Sequence, residues 1–133
     1  MENIIVKFTQ PKIVVKFSSA IPSQIDVNRS DQRSFTYADI ASGKIEFGRV
    51  LEDRVLQRVA LDVTTPFNSG ITAEIGISTD HDLVMGINDN DLQTANKYSV
   101  NCDLKFSSTE QIVIYFGGSA PMAGAITMTI YTL

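Results

Sequence analysis

Lys97-Tyr98-Ser99-Val100-Asn101-Cys102-Asp103-Leu104-Lys105-Phe106 alternates polar and apolar residues without a break. Tyr98, Val100, Cys102, Leu104 and Phe106 take one side of an extended chain, and the five residues between them take the other. Only a β-strand sends successive side chains to opposite faces, so this is a strand with one dry and one wet face. On that register Cys102 and Leu104 belong to a core, and Lys105 faces solvent or an interface.

The period of two continues on both sides of this strand. Downstream, Ile112, Ile114 and Phe116 alternate with Val113 and Tyr115; Gly117-Gly118-Ser119-Ala120-Pro121 reads as a turn, and residues 125–131 as a last strand. Upstream, the turn Asn68-Ser69-Gly70 precedes Ile71, Ala73, Ile75 and Ile77, which alternate with Thr72, Glu74, Gly76 and Ser78. Residues 79–97 are mostly polar and read as a loop, pinned to one end of the fold by Leu83, Val84, Met85, Ile87 and Leu92.

Residues 50–60 admit two readings. Leu51, Val55, Leu56, Val59 and Ala60 would make a helical face. Val59, Leu61 and Val63 also alternate with Arg58, Ala60 and Asp62, and the β-branched content favours a strand over about 54–65. Leu51-Glu52-Asp53 is then a turn, Val59 is core and Arg58 faces outward. Phe35 and Tyr37 begin an earlier strand, and Ile45 and Phe47 belong to the next. Residues 18–34 are polar, contain Pro22 and read as a long loop.

The first 17 residues contain two near copies, Ile4-Ile5-Val6-Lys7-Phe8 and Ile13-Val14-Val15-Lys16-Phe17, joined through Gln10-Pro11. They form a hairpin, or two strands given to different sheets. Both sides of the pleat carry apolar residues, so the row holding Ile5, Lys7, Val14 and Lys16 wants a cover. That cover is a neighbouring molecule, with residues 1–17 as an assembly arm, or else the protein's own sandwich. The expectation is one domain over residues 1–133, an all-β, two-sheet antiparallel β-sandwich of jelly-roll type with about eight strands.

Bulk properties exclude several function classes. The chain has 133 residues, 44% hydrophobic and 20% charged, which is ordinary globular composition. Residues 1–66 carry nine Lys/Arg against eight Asp/Glu, and residues 67–133 carry two against seven, for a net charge of -4. No basic stripe survives that count, which argues against nucleic-acid binding. The single cysteine, Cys102, excludes an internal disulfide. Residues 1–12 do not read as a signal peptide, and no run has the ~18 apolar residues of a membrane span. The expected product is made in a cytoplasm and stays off membranes.

Chemistry-bearing residues are few. His81, the single histidine, lies in Thr79-Asp80-His81-Asp82, an acidic loop where a solvated imidazole is expected. No G-x-S-x-G is present. Glu46 and Glu74 would have to face each other to act as paired carboxylates, and a solvated sheet face explains them better. Asp80, Asp82, Asn88, Asp89, Asn90 and Asp91 concentrate hard oxygen ligands that could hold calcium, yet the same residues are ordinary turn formers, which is the preferred reading. No metal or other cofactor is expected. Tyr37, Tyr115 and Tyr131 opposite the core would suit a glycan-binding platform.

Residues 50–133 also resemble a module of tailed-bacteriophage virion proteins. The likeness runs through VLQRVALDVTTPFNSG, then ITAEIGISTDHDLVMG, then NDLQTANKYSV, and ends on a Gly-Gly turn before AGAITMTIYTL. A strand ending in a Thr-Thr-x-Phe corner puts Phe67 at the end of the sandwich. An Ile-Gly strand carries Gly76 on its solvent face, open to a bulge or a close backbone, and Asp91 caps the loop before Leu92. The resemblance implies a non-enzymatic virion structural protein. Such a module resembles capsid decoration (cement) proteins, head fibres and tail-associated binding modules alike, and capsid decoration is the preferred expectation. Implied partners are major capsid or other virion proteins and further copies of the chain, a trimer among the options. The alternative is a tail or fibre module that binds host-surface glycan.

Overall fold

The computed structural model describes residues 29–133, and the calls on residues 1–17 lie outside them. Eight strands follow in order: β1 (Ser30–Thr36), β2 (Lys44–Val50), β3 (Val55–Thr65), β4 (Ile71–Ile77), β5 (Asp80–Met85), β6 (Lys97–Lys105), β7 (Glu110–Gly118) and β8 (Ala125–Thr132). One sheet runs β1-β8-β3-β6 and the other β2-β7-β4-β5, with every pairing antiparallel. Strands 1, 8, 3 and 6 facing 2, 7, 4 and 5 is the wiring of an eight-stranded jelly roll. Among the described residues no helix is long and apolar enough to cross a membrane.

One core fills the space between the sheets. Leu56, Val59, Leu61, Ile75, Met85, Ile112, Ile114, Ile126, Met128 and Ile130 are fully buried there. Phe35 and Phe47 meet edge to face at 6.4 Å where β1 lies over β2. Phe67 plugs one end as expected: its N–H donates to the Leu92 carbonyl at 2.8 Å, and its ring lies against Gly124. A Cβ at position 124 would collide with that ring, and the φ of 128° there also favours glycine.

Several boundaries differ from expectation, each for a physical reason. Residues 30–34 of the expected long loop are strand β1, whose polar sequence suits a sheet edge. Phe35 closes that strand instead of opening one. Tyr37 starts a short 3₁₀ helix, Tyr37–Ile40, whose Asp39 carboxylate accepts the Thr36 N–H at 2.8 Å. Residues 80–85 of the second expected loop are strand β5, which holds Leu83, Val84 and Met85. Leu92 is buried as expected, but Ile87 is exposed and pins nothing. Strand β7 runs through Gly117 and Gly118, so the turn begins at Ser119. Val59 is buried and Lys105 exposed, while Cys102 and Leu104 are only half-buried, because β6 is an edge strand. Arg58 faces outward and lies over the Tyr131 ring at 4.6 Å.

Candidate assembly surface

The predicted assembly residues Ile5, Lys7, Val14 and Lys16 lie outside the described residues. What the structure does place is the surface of the described fold. Its two outer sheet faces differ in chemistry.

The outer face of β1-β8-β3-β6 carries rows of short side chains beside the Arg58–Tyr131 pair. Gln32 and Ser34 of β1 lie beside Thr129 and Thr127 of β8, joined by hydrogen bonds of 3.0 and 2.8 Å. Ala60 and Ser99 continue the same rows across β3 and β6.

The outer face of β2-β7-β4-β5 carries an aromatic stack between charges of both signs, with Tyr115 opposite Glu74 on one side and Lys44 on the other. Gly76 of β4 makes it possible. This residue is buried, not solvent-facing, because the backbone of Asp80 and His81 closes directly over it. The pairing of β4 with β5 shifts register at that point, between Ile75 and Ile77. Passing so close, β5 brings the His81 ring flat onto Tyr115 of β7, with centroids 3.7 Å apart and planes 10° off parallel. Glu74 sits directly across from Tyr115 on β4. Glu46 is on β2, on the far side of β7, and lies 4.0 Å from Lys44. The two glutamates are therefore separated by a whole strand and do not face each other as a catalytic pair. Burial, and then the charge of Glu46, push the Tyr115 hydroxyl above its ordinary value.

A depression of about 430 Å³ opens beside this stack, lined by Thr72, Glu74, His81, Ile87, Tyr115 and Phe116 over the backbone of Gly43 and Gly117. It adjoins a second, of about 320 Å³, lined by Ile40, Ile71, Phe116, Ala120 and Pro121. The two meet at Gly43, Phe116 and Gly117 but open on different sides of the sheet: the first over the outer face, the second at the end of the sandwich, where Ile40 and Ile71 belong to the core. The sequence held only a partial signal for the first: glycines where a strand face should carry side chains.

The acidic segment behaves as turn chemistry. Asp89 Oδ2 accepts the Gly86 N–H at 2.8 Å; Asp91 accepts from the Gln93 N–H at 3.0 Å and the Thr94 hydroxyl at 2.7 Å. Asn90 donates to the carbonyls of Ala73 and Gly86. Asp91 thus caps the loop, as expected before Leu92. Asp80 and Asp82 lie apart from these, in β5, and the hydrogen bond between them pushes the Asp80 carboxyl up. Among the described residues no group of three or more His, Cys, Asp or Glu converges to hold a metal. The tyrosines do not form one platform. Tyr115 is on the outer face of one sheet, Tyr131 on that of the other, and Tyr37 is in the 3₁₀ helix.

No family model matches the chain, and no curated protein matches it in sequence. A solved structure does match in fold, a chain of the cyanophage Pam1 capsid asymmetric unit. The TM-score is 0.57 at 11% identity, over 77% of this chain and 80% of that one. At that identity the likeness is one of fold.

Proposed function

We propose that the protein is a non-enzymatic structural component of a bacteriophage particle, and specifically a decoration (cement) protein of the capsid. The observation that carries this reading is the jelly roll shared over about four-fifths of each chain with a cyanophage capsid component. The two sheets are closed by a continuous core, which leaves outer faces and edges as the working parts. A protein of this kind acts by adhesion: it buries surface across junctions between capsomers and opposes internal pressure. Its partners are the major capsid protein and further copies of itself, with residues 1–17 as the assembly element and Ile5, Lys7, Val14 and Lys16 as the contact row. It is made in the host cytoplasm and ends in the virion. The glycan-binding alternative called for a contiguous tyrosine patch, and the tyrosines are dispersed.

Two measurements test this. A particle map should place the chain on the shell over capsomer junctions, and density at a tail tip or fibre would favour the alternative. Deleting residues 1–11 should leave a folded protein that no longer joins particles. An unfolded truncation would assign the segment to the protein's own core.

A further inference from the structure

Among the described residues four strands lie at sheet edges, β1, β2, β5 and β6, and the first three are blunted. Strand β1 turns Asp31 and Arg33 inward, β2 is bulged between Glu46 and Gly48, and β5 keeps two registered pairs with β4. Charges, bulges and short pairing each discourage the addition of another chain. Strand β6 is different. It has nine residues, no inward charge, and an unbroken register with β3 from Lys97 to Asn101. Its inward row, Tyr98, Val100, Cys102 and Leu104, is half-buried, so among the described residues this apolar row lacks a cover on its open side.

The register also fixes which backbone groups of β6 are free. The Val63 N–H donates to the Asn96 carbonyl at 2.8 Å, so on the same ladder Tyr98 and Val100 bond to β3. Lys97, Ser99 and Asn101 then turn their N–H and C=O groups outward along the edge. A strand added here must bring its own outward groups opposite these. A second β6, antiparallel and centred on Val100, does so: Ser99 meets Asn101, and Val100 meets Val100. On the exposed face the same register sets Lys97 beside Asp103 of the other copy. Lys97 already faces Asp62 on β3, so it would lie between two carboxylates. Neither Lys97 nor Asp103 is in an ion pair among the described residues. The neighbouring registers that keep the hydrogen bonds are poorer. Centring on Asn101 sets Lys97 against Lys105, and centring on Ser99 sets it against Asn101. Asp103 has a φ of 50°, and β6 shifts register with β3 beside it, so the straight edge ends where this pairing ends.

We infer that β6 is a self-association edge, on which two copies pair antiparallel about Val100 and join their sheets into one. Such an interface uses the same patch on both copies and closes at the dimer. Main-chain hydrogen bonds supply the attraction, and the half-buried apolar rows cover each other. The contact is separate from the one assigned to residues 1–17 and does not depend on the role in the particle.

Crosslinking in the full-length protein tests it. Directly opposed Cα atoms of a non-hydrogen-bonded pair lie ~4.5 Å apart, within disulfide range. The Val100→Cys variant, made together with Cys102→Ser, should therefore oxidise to a covalent dimer, while Cys102→Ser alone should not. Sedimentation velocity should show a reversible monomer–dimer equilibrium for the wild-type chain. Ser99→Pro should weaken it by about tenfold or more, since proline removes an N–H that β3 does not use. Melting temperatures confirm that each variant folds. A monomer at all concentrations overturns the inference, as does association that a folded Ser99→Pro variant leaves unchanged. Crosslinking through Ser99→Cys or Asn101→Cys in place of Val100→Cys overturns the register. An associating protein that none of these crosslinks overturns the β6 contact and leaves residues 1–17 as the self-contact.

Discussion

Arg33 points its guanidinium inward from β1, 4.6 Å over the Phe47 ring and 5.9 Å from Phe35. Its three side-chain nitrogens are shielded from water and have no hydrogen-bond acceptor among the described residues. Burial lowers its pKa, and Asp31 on the same strand opposes that shift. A charge placed this way costs stability, because an unpaired buried donor loses its water without replacement. Its use lies elsewhere: β1 is a sheet edge, and an inward charge on an edge strand discourages pairing with stray chains. Arg33→Leu should therefore leave stability within about 1 kcal/mol of wild type, or raise it, while increasing aggregation on heating. Urea titration with light scattering checks both parts, and a large loss of stability would assign Arg33 a partner. Cys102 carries a second residue-scale consequence. Burial, then the charge of Asp103, push its thiol above the ordinary value, with a partial offset from a backbone hydrogen bond to Val59. The native state thus holds the thiol proton more tightly than the unfolded chain. Its contribution to stability is complete below the ordinary thiol pKa of about 8.5 and is lost as pH rises past it. Alkylation at pH 8 should be slower in the folded protein than in urea, and equal rates would contradict the half-buried position.

At the scale of elements, the β4–β5 hairpin depends on Gly76. A Cβ there would meet the backbone of Asp80 and His81, with the His81 carbonyl carbon at 2.7 Å, and a backbone has little room to yield. Gly76→Ala should cost on the order of 1–3 kcal/mol and separate the His81 and Tyr115 rings. Denaturant titration measures the first and tyrosine proton shifts the second; an unperturbed hairpin would contradict this packing. The same hairpin shows why part of the fold was hidden in the sequence. Strand β5, Asp80-His81-Asp82-Leu83-Val84-Met85, is an edge strand whose first half is exposed, so its polar residues imitate a loop. Strand β1 is similar, since Asp31 and Arg33 occupy inward positions where the pattern expects apolar residues. The helical look of residues 50–60 also has a local cause. Leu56 faces Thr132 while Arg58 faces Tyr131, so Gln57 bulges out of the ladder. Leu56 and Val59 then both reach the core three residues apart, which is helical spacing inside a strand. Strands β3, β4, β7 and β8 were legible because central strands bury one complete face. The depression beside Tyr115 was not, because it joins glycines and side chains from separate segments of the chain.

For the whole molecule, the connectivity that makes the surface also sets how the surface is acquired. The two strands nearest the chain ends of the described fold pair with each other, Ser30 opposite Tyr131 and Phe35 opposite Ile126. Strand β3 is held between β8 and β6, and β7 between β2 and β4. Most pairings therefore join residues far apart in sequence, and the loop-closure cost precedes the contacts that repay it. Local structure gives little help, since the described helix is a single 3₁₀ turn. Folding should take milliseconds to seconds, as in other sandwiches of high contact order, with unfolding cooperative because one core spans both sheets. During that interval the edges β1, β2, β5 and β6 are open to other chains, which gives the inward Arg33 a role before assembly begins. Tyrosine fluorescence in a stopped-flow refolding experiment measures the rate, the sequence having four tyrosines and no tryptophan. A single phase in the microsecond range would mean that local contacts lead, and that this account of the edges is mistaken. A slow phase whose yield falls with protein concentration, and falls further in Arg33→Leu, is the expected result.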